Sequence, residues 1–453
     1  MKNAKVATRT AVICYGLGDL ASQFVWSFVG SYLTIFYMDV VGLAPVVISA
    51  IMMGARIWDA VNDPIMGAIA ERTRSKFGRF RPYIAFGCVP LAVFSVLTFT
   101  HPFSGDSAAG VIWATVTYII AGMLFTLVNI PYGALVSVMT EDSNQRNQIN
   151  SSRNIGMQIG RLVVNAFSAA ILLKFSAENA AAADSTGYFI TALIYAIISI
   201  PMFLAVFFTS KENIMPAREE IHKFSFKETF LNLVKNKYLM IVTLITVLSM
   251  TFFMGRMSVL SFYVTYCLGD MGLMAVITTI PSVMGIIVSF FIPSLVKITG
   301  KRNLLMLSMA VQGISLLIIY MAPFDNIPMV IAGCFIFGIF SMSMPLSLSM
   351  VADSIDYMEL KTGVRTDGTA YATYGLATKL GNAIGGAVGV IILGAMGYVA
   401  NAQQTEETLR GINITVNLIP AIICFLAAAA CLLWRMTDKE ADHIREQIKA
   451  RKQ

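Results

Sequence analysis

The sequence predicts an all-α integral membrane protein whose twelve transmembrane helices form two pseudo-symmetric six-helix bundles. Three observations support this fold class. The 453-residue chain is 57% hydrophobic and only 13% charged, whereas about a quarter of the residues in a soluble domain are charged. Apolar runs of the ~20 residues that cross a bilayer recur from end to end. The basic residues are concentrated in alternate loops, as the positive-inside rule describes.

The apolar runs define twelve predicted spans, numbered 1 to 12 in chain order. Several are longer than a minimal span, which permits tilting or a kink. A polar interval separates the first six from the last six. The spans lie at 12–38, 44–71, 83–101, 110–139, 150–174 and 186–209, and then at 238–268, 272–297, 303–322, 326–352, 368–398 and 412–435.

The loop charges predict the orientation of the chain. Lys and Arg cluster after span 2, in the central interval, after span 8 and in the C-terminal tail. The opposite loops at 39–45, 101–109, 269–272 and 323–327 contain none. We therefore expect a multi-pass protein of the plasma membrane with both termini cytoplasmic. The basic start is read as the lead into span 1, not as a removed signal peptide.

The same pattern explains the net charge of +7, because a basic cytoplasmic face needs no nucleic-acid partner. We expect the partners to be membrane lipid and a small solute, and the protein to be monomeric.

The two halves of the chain resemble each other weakly. Spans 2 and 8 each end in a basic loop, and spans 4 and 10 contain Pro131 and Pro345 and end in acidic pairs. We predict an N-terminal bundle at 1–210, a cytoplasmic linker at 211–236 and a C-terminal bundle with its tail at 237–453. Parallel-repeat transporters have this layout, with the solute site near the bilayer midplane. Because the sequence has no phosphate-binding loop of the ATPase type, transport is expected to use an ion gradient.

The densest group of polar residues within a span is on span 2. Asp59, Asn62 and Asp63 are three or four residues apart and share one helix face. Two carboxylates on one face repel each other unless a cation lies between them or one is protonated. We therefore predict a site for sodium, held by Asp59 and Asp63, or for a coupled proton. The alternative is that Arg56 and the two carboxylates form an ion network that only stabilises helix packing.

Further charges inside the spans are candidates for function because each is costly in a bilayer. They are Asp19, Arg153, Arg161, Arg256 and Lys379. Arg153 lies near a loop, so snorkelling to the membrane surface is its alternative, and Lys379 has a structural salt bridge as its alternative.

Aromatic residues beside these positions suit the apolar faces of a sugar, although ordinary packing is the alternative for each. They are Trp26, Tyr132, Tyr371 and Tyr374. The three histidines (His101, His222 and His443) lie in loops, and no HExxH or GxSxG motif occurs. We therefore expect neither an enzyme nor a cofactor.

Six motifs, in order along nearly the whole chain, resemble the glycoside–pentoside–hexuronide:cation symporters of the major facilitator superfamily, which include the melibiose and β-glucuronide carriers. The motifs are Tyr15–Asp19, Phe36–Asp39, Ala55–Pro64, Arg72–Pro82, Asn129–Gly133 and Asp353–Tyr357. The resemblance implies a sugar symporter coupled to sodium, lithium or protons that works by alternating access. It also implies that Thr126 completes the cation site at Asp59, Asn62 and Asp63, and that Arg153 and Lys379 contact the sugar.

Departures from the family pattern suggest the substrate. Where the melibiose carrier has one carboxylate on helix 1 and another on helix 4, this sequence has Gln23 and Asn129, and Gly133 replaces a tryptophan. Arg161 and Arg256 add positive charge. Since Arg pairs bidentately with carboxylates, we predict a hexuronide such as a glucuronide. Neutral pentosides or galactosides are the alternative substrates, and a lysolipid transporter or a membrane-embedded enzyme is a remote alternative. The predicted substrate-binding residues are Gln23, Trp26, Arg56, Asn129, Tyr132, Arg153, Arg161, Arg256, Tyr374 and Lys379.

Overall fold

The computed structural model describes residues 7–140, 143–177, 183–213, 236–363, 367–399 and 402–452. Within these ranges helices dominate, and the β-structure is one isolated bridge between Ser75 and Gly78. The helices of the N-terminal part are α1 Arg9–Ile35, continued by a π-helical turn at Phe36–Val40, α2 Pro45–Arg72, α3 Arg81–Leu97, α4 Ala108–Met139, α5 Ser143–Lys174 and α6 Ser185–Thr209.

The described residues of the C-terminal part contain ten further helices of eight residues or more. After the helix Lys237–Met257, a single turn at Leu260–Phe262 leads into a π-helical turn at Tyr263–Cys267. Another π-helical turn, at Ile414–Leu418, joins the helix Glu406–Asn413 to the helix Ile419–Cys431. The helices are α7 Lys237–Met257, α8 Leu273–Ser289, α9 Ile292–Thr299, α10 Lys301–Met321, α11 Ile327–Ile339, α12 Ser343–Thr362, α13 Asp367–Ala395, α14 Glu406–Asn413, α15 Ile419–Cys431 and α16 Asp438–Lys452.

Nine helical segments of the described ranges are long and apolar enough to cross a membrane, and the bent pair of α8 and α9 would be a tenth. The helix α3 is apolar but has only 17 residues, and the polar residues of α2 lower its hydropathy. With these two helices, the described residues contain the twelve predicted spans. The predicted all-α membrane fold is confirmed.

Three of the predicted spans are broken rather than continuous in the described residues, and span 7 has its gap between Met257 and Leu260. Span 8 bends by 66° between α8 and α9, where Pro293 lies in the first turn of α9 and cannot donate a backbone hydrogen bond to the preceding turn. Span 10 breaks between α11 and α12. It also continues ten residues beyond its predicted end at residue 352, until Gly363 stops it with φ +73°. His443 was predicted in a loop but lies in α16.

The chain divides into two compact units. The first groups the described residues within 1–222 with 269–279 and 399–403, and the second groups those within 223–268, 280–398 and 404–453. Inside the first unit α1 packs on α5 and α6, and α2 packs on α4. Inside the second unit α7 packs on α13 and α15. Most of the predicted linker, 214–235, lies outside the described residues, so the domain boundaries stay predictions.

Glycines allow close backbone contact where α1 crosses α5. A Cβ atom on Gly156 would lie 1.9 Å from the carbonyl oxygen of Gly16, and one on Gly160 would lie 2.8 Å from that of Leu20. Between α7 and α13, a Cβ atom on Gly385 would lie 2.3 Å from the carbonyl oxygen of Thr251. Small residues of this kind let membrane helices approach and pack. The α1–α5 crossing brings the polar residues of these two helices together.

Each unit contains an acidic residue that caps a helix from a distant part of the chain. Glu212, just after α6, accepts backbone hydrogen bonds from Arg79, Phe80 and Arg81 at 2.8, 2.8 and 3.2 Å. Asp438 accepts one from Lys301 at 3.0 Å. These carboxylates satisfy N–H groups that have no partner within α3 and α10, and they complement the positive ends of the helix dipoles. The preceding glycines, Gly78 and Gly300, have φ values of +110° and +78°.

Candidate functional site

The predicted cation ligands lie on α2 and α4, which pack together. Thr126 donates a 2.9 Å hydrogen bond from Oγ1 to Oδ1 of Asp63. Asn62 is only 6% exposed, and its Nδ2 has no hydrogen-bond partner among the described residues. Asp59 is one turn before Asp63 on the same helix face. The structure therefore brings Asp63 and Thr126 into contact, although cation binding at these residues stays a prediction.

Arg56 approaches Asp59 within the same helix. Its Nη1 lies 3.5 Å from Oδ2 of Asp59, and its guanidinium carbon lies 5.5 Å from the ring centre of Trp26. On the other side, Gly122 leaves room for Asp59, since a Cβ atom there would lie 3.4 Å from Oδ1. The alternative to a cation site was an ion network of Arg56 with both carboxylates. The structure shows one contact of that network, between Arg56 and Asp59.

The chemistry of these side chains suits a hard cation, because carboxylate, hydroxyl and amide oxygens are the ligands that such cations prefer. No group of three His, Cys, Asp or Glu side chains that could hold a metal occurs in the described part of the chain. A cation held by Asp59 and Asp63 would therefore need the oxygens of Thr126 and Asn62 as further ligands. A proton would need only one of the carboxylates.

A second polar cluster lies where α1 crosses α5. Nε of Arg153 lies 2.7 Å from Oδ2 of Asp19, and the guanidinium carbon is 4.8 Å from the ring centre of Tyr132. The hydroxyl of Tyr132 donates to the carbonyl oxygen of Tyr15 at 2.6 Å and lies 3.2 Å from Oδ2 of Asp19. Arg153 is thus paired within the bundle rather than extended to the membrane surface.

Asp19 belongs to this cluster but is absent from the predicted substrate-binding residues. From the sequence it was identified only as a charged residue inside a span. The sequence did contain a signal for Asp19, because it lies four residues before the predicted substrate-binding residue Gln23 and shares one face of α1 with it. Tyr132 is fully buried and its ring stacks on Tyr15 with centroids 4.6 Å apart. Its contacts hold Asp19 and Arg153 in place, so a direct contact of Tyr132 with sugar stays a prediction.

The remaining predicted residues of the first unit are half-buried. Oε1 of Gln23 accepts from Ser27 at 2.6 Å, and Nδ2 of Asn129 lies 3.3 Å from Oγ of Ser22. Trp26 stacks on Phe125 with ring centres 4.5 Å apart. Arg161 lies on α5, two turns beyond Arg153. Gln23 of α1 and Asn129 of α4 therefore lie on or beside the turn of α1 that follows Asp19.

Three predicted residues belong to the second unit. Arg256 is 6% exposed, with its guanidinium carbon 5.4 Å from the ring centre of Phe337. Its Nε has no hydrogen-bond partner among the described residues. Tyr374 and Lys379 are half-buried on α13. Substrate contact by these three residues stays a prediction.

The motif residues Asp353 and Asp356 anchor the tail helix α16. Asp353 pairs with Lys301 at 2.5 Å and with Arg445, and Arg445 also pairs with Asp356 at 3.2 Å. Burial lowers the pKa of Arg445, but its neighbouring carboxylates, with Asp353 first, hold that pKa above its ordinary value. Arg445 therefore stays charged in its contacts with Asp353 and Asp356. Sequence reasoning had assigned no role to this contact.

Comparison with known proteins gives consistent results. The model of the MFS/sugar transport protein family matches residues 14–438. The glucuronide carrier protein homolog of Escherichia coli (strain K12) is 28% identical over 99% of this chain and 97% of its own. The isoprimeverose transporter of Lactiplantibacillus pentosus is 29% identical over 96% of this chain and 92% of its own. A crystal structure of a mutant of the nucleoside transporter NupG has a TM-score of 0.63 at 13% identity, covering 94% of this chain and all of that one.

Proposed function

Since the chain belongs to the MFS/sugar transport protein family, we propose that it is a symporter that imports a glycoside together with sodium or a proton. The observation that carries the coupling is the contact between Asp63 and Thr126, with Asp59 on the same face of α2. Paired carboxylates that share a face are unfavourable when empty, and cation binding removes that cost. The carboxylate pair is therefore the proposed coupling site.

The proposed cycle begins when a cation neutralises the repulsion between Asp59 and Asp63. Sugar binding then becomes more favourable, because α2 and α4 are held in the arrangement that the cation stabilises. With both solutes bound, the protein changes from outward-facing to inward-facing. This coupling is reciprocal, so the sugar raises the affinity for the cation by the same factor.

The proposed substrate is a hexuronide, such as a glucuronide. Gln23 and Asn129 replace two carboxylates of the melibiose carrier pattern, and Arg153 and Arg161 lie on α5 near α1. Arginine binds carboxylates bidentately, which favours an acidic sugar. The glucuronide carrier homolog among the relatives supports the same class.

A neutral glycoside is the second candidate, and two contacts favour it. Arg153 is paired with Asp19, and Arg56 with Asp59. Each carboxylate offsets the charge of its arginine, which leaves less positive charge to attract a hexuronate. The isoprimeverose transporter among the relatives supports a pentoside.

An uptake experiment in proteoliposomes tests both candidates. Purified protein would be given radiolabelled glucuronide, xyloside or galactoside under an imposed sodium gradient, a proton gradient or neither. We expect glucuronide to accumulate only when one of the two gradients is present. Accumulation of a neutral glycoside without glucuronide uptake would refute the acidic substrate, and uptake that never exceeds equilibrium would refute coupling.

The cellular setting belongs to the same proposal. The protein is a monomer of the bacterial inner membrane with both termini cytoplasmic, and its halves are 1–210 and 237–453 joined by 211–236. The loop charges support the orientation. We propose neither an enzymatic activity nor a cofactor for this protein.

A further inference from the structure

A large basic cavity lies in the first unit, apart from the sugar and cation residues. It has a volume of about 880 Å³ and is lined by the loop between α2 and α3 and by the segment that follows α6. Five of its lining residues are basic and one is acidic. The basic residues are Arg74, Lys76, Arg79, Arg81 and Lys211.

The single acidic lining residue, Glu212, offsets only part of this positive charge. The carboxylate of Glu212 is held at one wall by three backbone N–H groups, those of Arg79, Phe80 and Arg81. Lys76 and Lys211 are exposed and make no hydrogen bond or ion pair with any described residue. Among the lining residues the basic ones therefore outnumber the acidic one by four, and Lys76 and Lys211 are the two that are available to a ligand.

The cavity adjoins an apolar aromatic surface. Phe77 lines the cavity, and its ring lies 6.4 Å from that of Phe86 on α3 and 5.8 Å from that of Phe207 on α6. The ring of Phe207 in turn contacts Phe208 at 5.1 Å. Phe86 is 68% exposed and Phe208 is 69% exposed. Both lie on helices that run from the loop into the predicted membrane region.

From this combination we propose that the cavity binds the headgroup of an anionic phospholipid, with the acyl chains along the exposed faces of α3 and α6. Lys and Arg bind phosphate oxygens strongly, and basic pockets at the cytoplasmic ends of membrane helices recognise anionic headgroups. Phe86 and Phe208 supply the apolar surface that a free phosphate would not need. The inference rests on the orientation proposed above, which places the loop between α2 and α3 at the cytoplasmic leaflet.

Binding to the full-length purified protein in detergent tests this proposal without reference to transport. Native mass spectrometry would count the molecules of phosphatidylglycerol and phosphatidylcholine retained over a lipid titration. We expect selective retention of phosphatidylglycerol. The variant Lys76→Gln with Lys211→Gln should weaken that binding about tenfold or more, and the effect should diminish at high salt.

A matched control removes the same charge elsewhere. Lys297→Gln with Lys361→Gln changes two exposed lysines of the second unit, which the same charge rule assigns to the cytoplasmic side. This variant should bind phosphatidylglycerol as the wild type does. Equal retention of the two lipids by the wild type, or equal losses in the two double variants, would overturn the site.

A further arm distinguishes a lipid from a free anion. Phe86→Gln should reduce retention of phosphatidylglycerol, whereas inorganic phosphate at millimolar concentration should compete only weakly. If phosphate displaces the lipid efficiently and Phe86→Gln has no effect, the cavity is a free-anion site and the lipid assignment is wrong. Each readout is independent of sugar uptake, so a failure here leaves the proposed transport function standing.

Discussion

Asp19 accepts a 2.7 Å charge-assisted hydrogen bond from Nε of Arg153, which joins α1 to α5 beside residues predicted to bind the sugar. Removing one member of such a partly buried pair leaves the other charge without compensation. Arg153 therefore depends on Asp19 both for its position and for its charge balance. Because Asp19 offsets the charge of Arg153, the pair also leaves less positive charge to attract an acidic substrate.

A double-mutant cycle measures this pair. Asp19→Ala and Arg153→Ala should each lower the free energy of unfolding, and the double variant should be more stable than the sum predicts by about 1–3 kcal/mol. The measurement is unfolding of the purified protein by titration with a denaturing detergent. Strict additivity would show that the two residues are independent.

Neutralising the carboxylates of α2 should uncouple transport. Asp59→Asn and Asp63→Asn should each reduce the accumulation ratio in proteoliposomes to about one, because either change removes one of the two carboxylates whose mutual repulsion the cation relieves. Asp106→Asn, in an exposed loop, is the matched control and should accumulate sugar normally. If both α2 variants still concentrate sugar, the coupling site lies elsewhere.

The hydroxyl of Thr126 should contribute to cation affinity. Thr126→Ala removes the hydrogen bond to Asp63, and a bond to a charged group contributes about 1.5–3 kcal/mol. We expect the half-saturating cation concentration for uptake to rise at least tenfold. Thr126→Ser keeps the hydroxyl and should stay within about threefold of the wild type. Equal affinities in the Ala and Ser variants would exclude Thr126 as a partner.

Adding one methyl group at the α1–α5 crossing should destabilise the protein. Gly156→Ala places a Cβ atom where only 1.9 Å separates it from the carbonyl oxygen of Gly16, so the helices must move apart. The expected loss is about 1–3 kcal/mol, measured as a lower denaturation midpoint in detergent. Gly30→Ala, on the same α1 but with open space around its Cβ position, should be neutral or slightly stabilising.

Helix periodicity was enough to place Asp59 and Asp63 on one face of α2, because spacing within a helix depends only on local geometry. The contact of Thr126 with Asp63 required the family resemblance, since it depends on how α2 packs on α4. The pairing of Asp19 with Arg153 was not predicted. It joins residues 134 positions apart, and it forms because glycines on α1 and α5 allow those helices to approach closely.

Hydropathy located the spans but missed their breaks. The helices on both sides of the bend between α8 and α9 are apolar on average, so a hydropathy average over a window does not detect the bend. Likewise, α12 extends beyond residue 352 into a charged stretch. The change in composition ended the predicted span there, whereas the helical hydrogen bonds of the backbone continue. The local signals for these ends were Pro293 and Gly363, which act through backbone geometry.

The two distant caps have a consequence for the origin of the chain. Glu212 and Asp438 follow the last span of their respective predicted halves, and each binds the start of the helix that forms the third predicted span of that half, α3 or α10, just after a glycine with positive φ. Duplication of one ancestral gene for six helices would leave such a matched pair. An even number of crossings would give both copies the same topology in the membrane, so each cap would remain in the compartment where it first evolved.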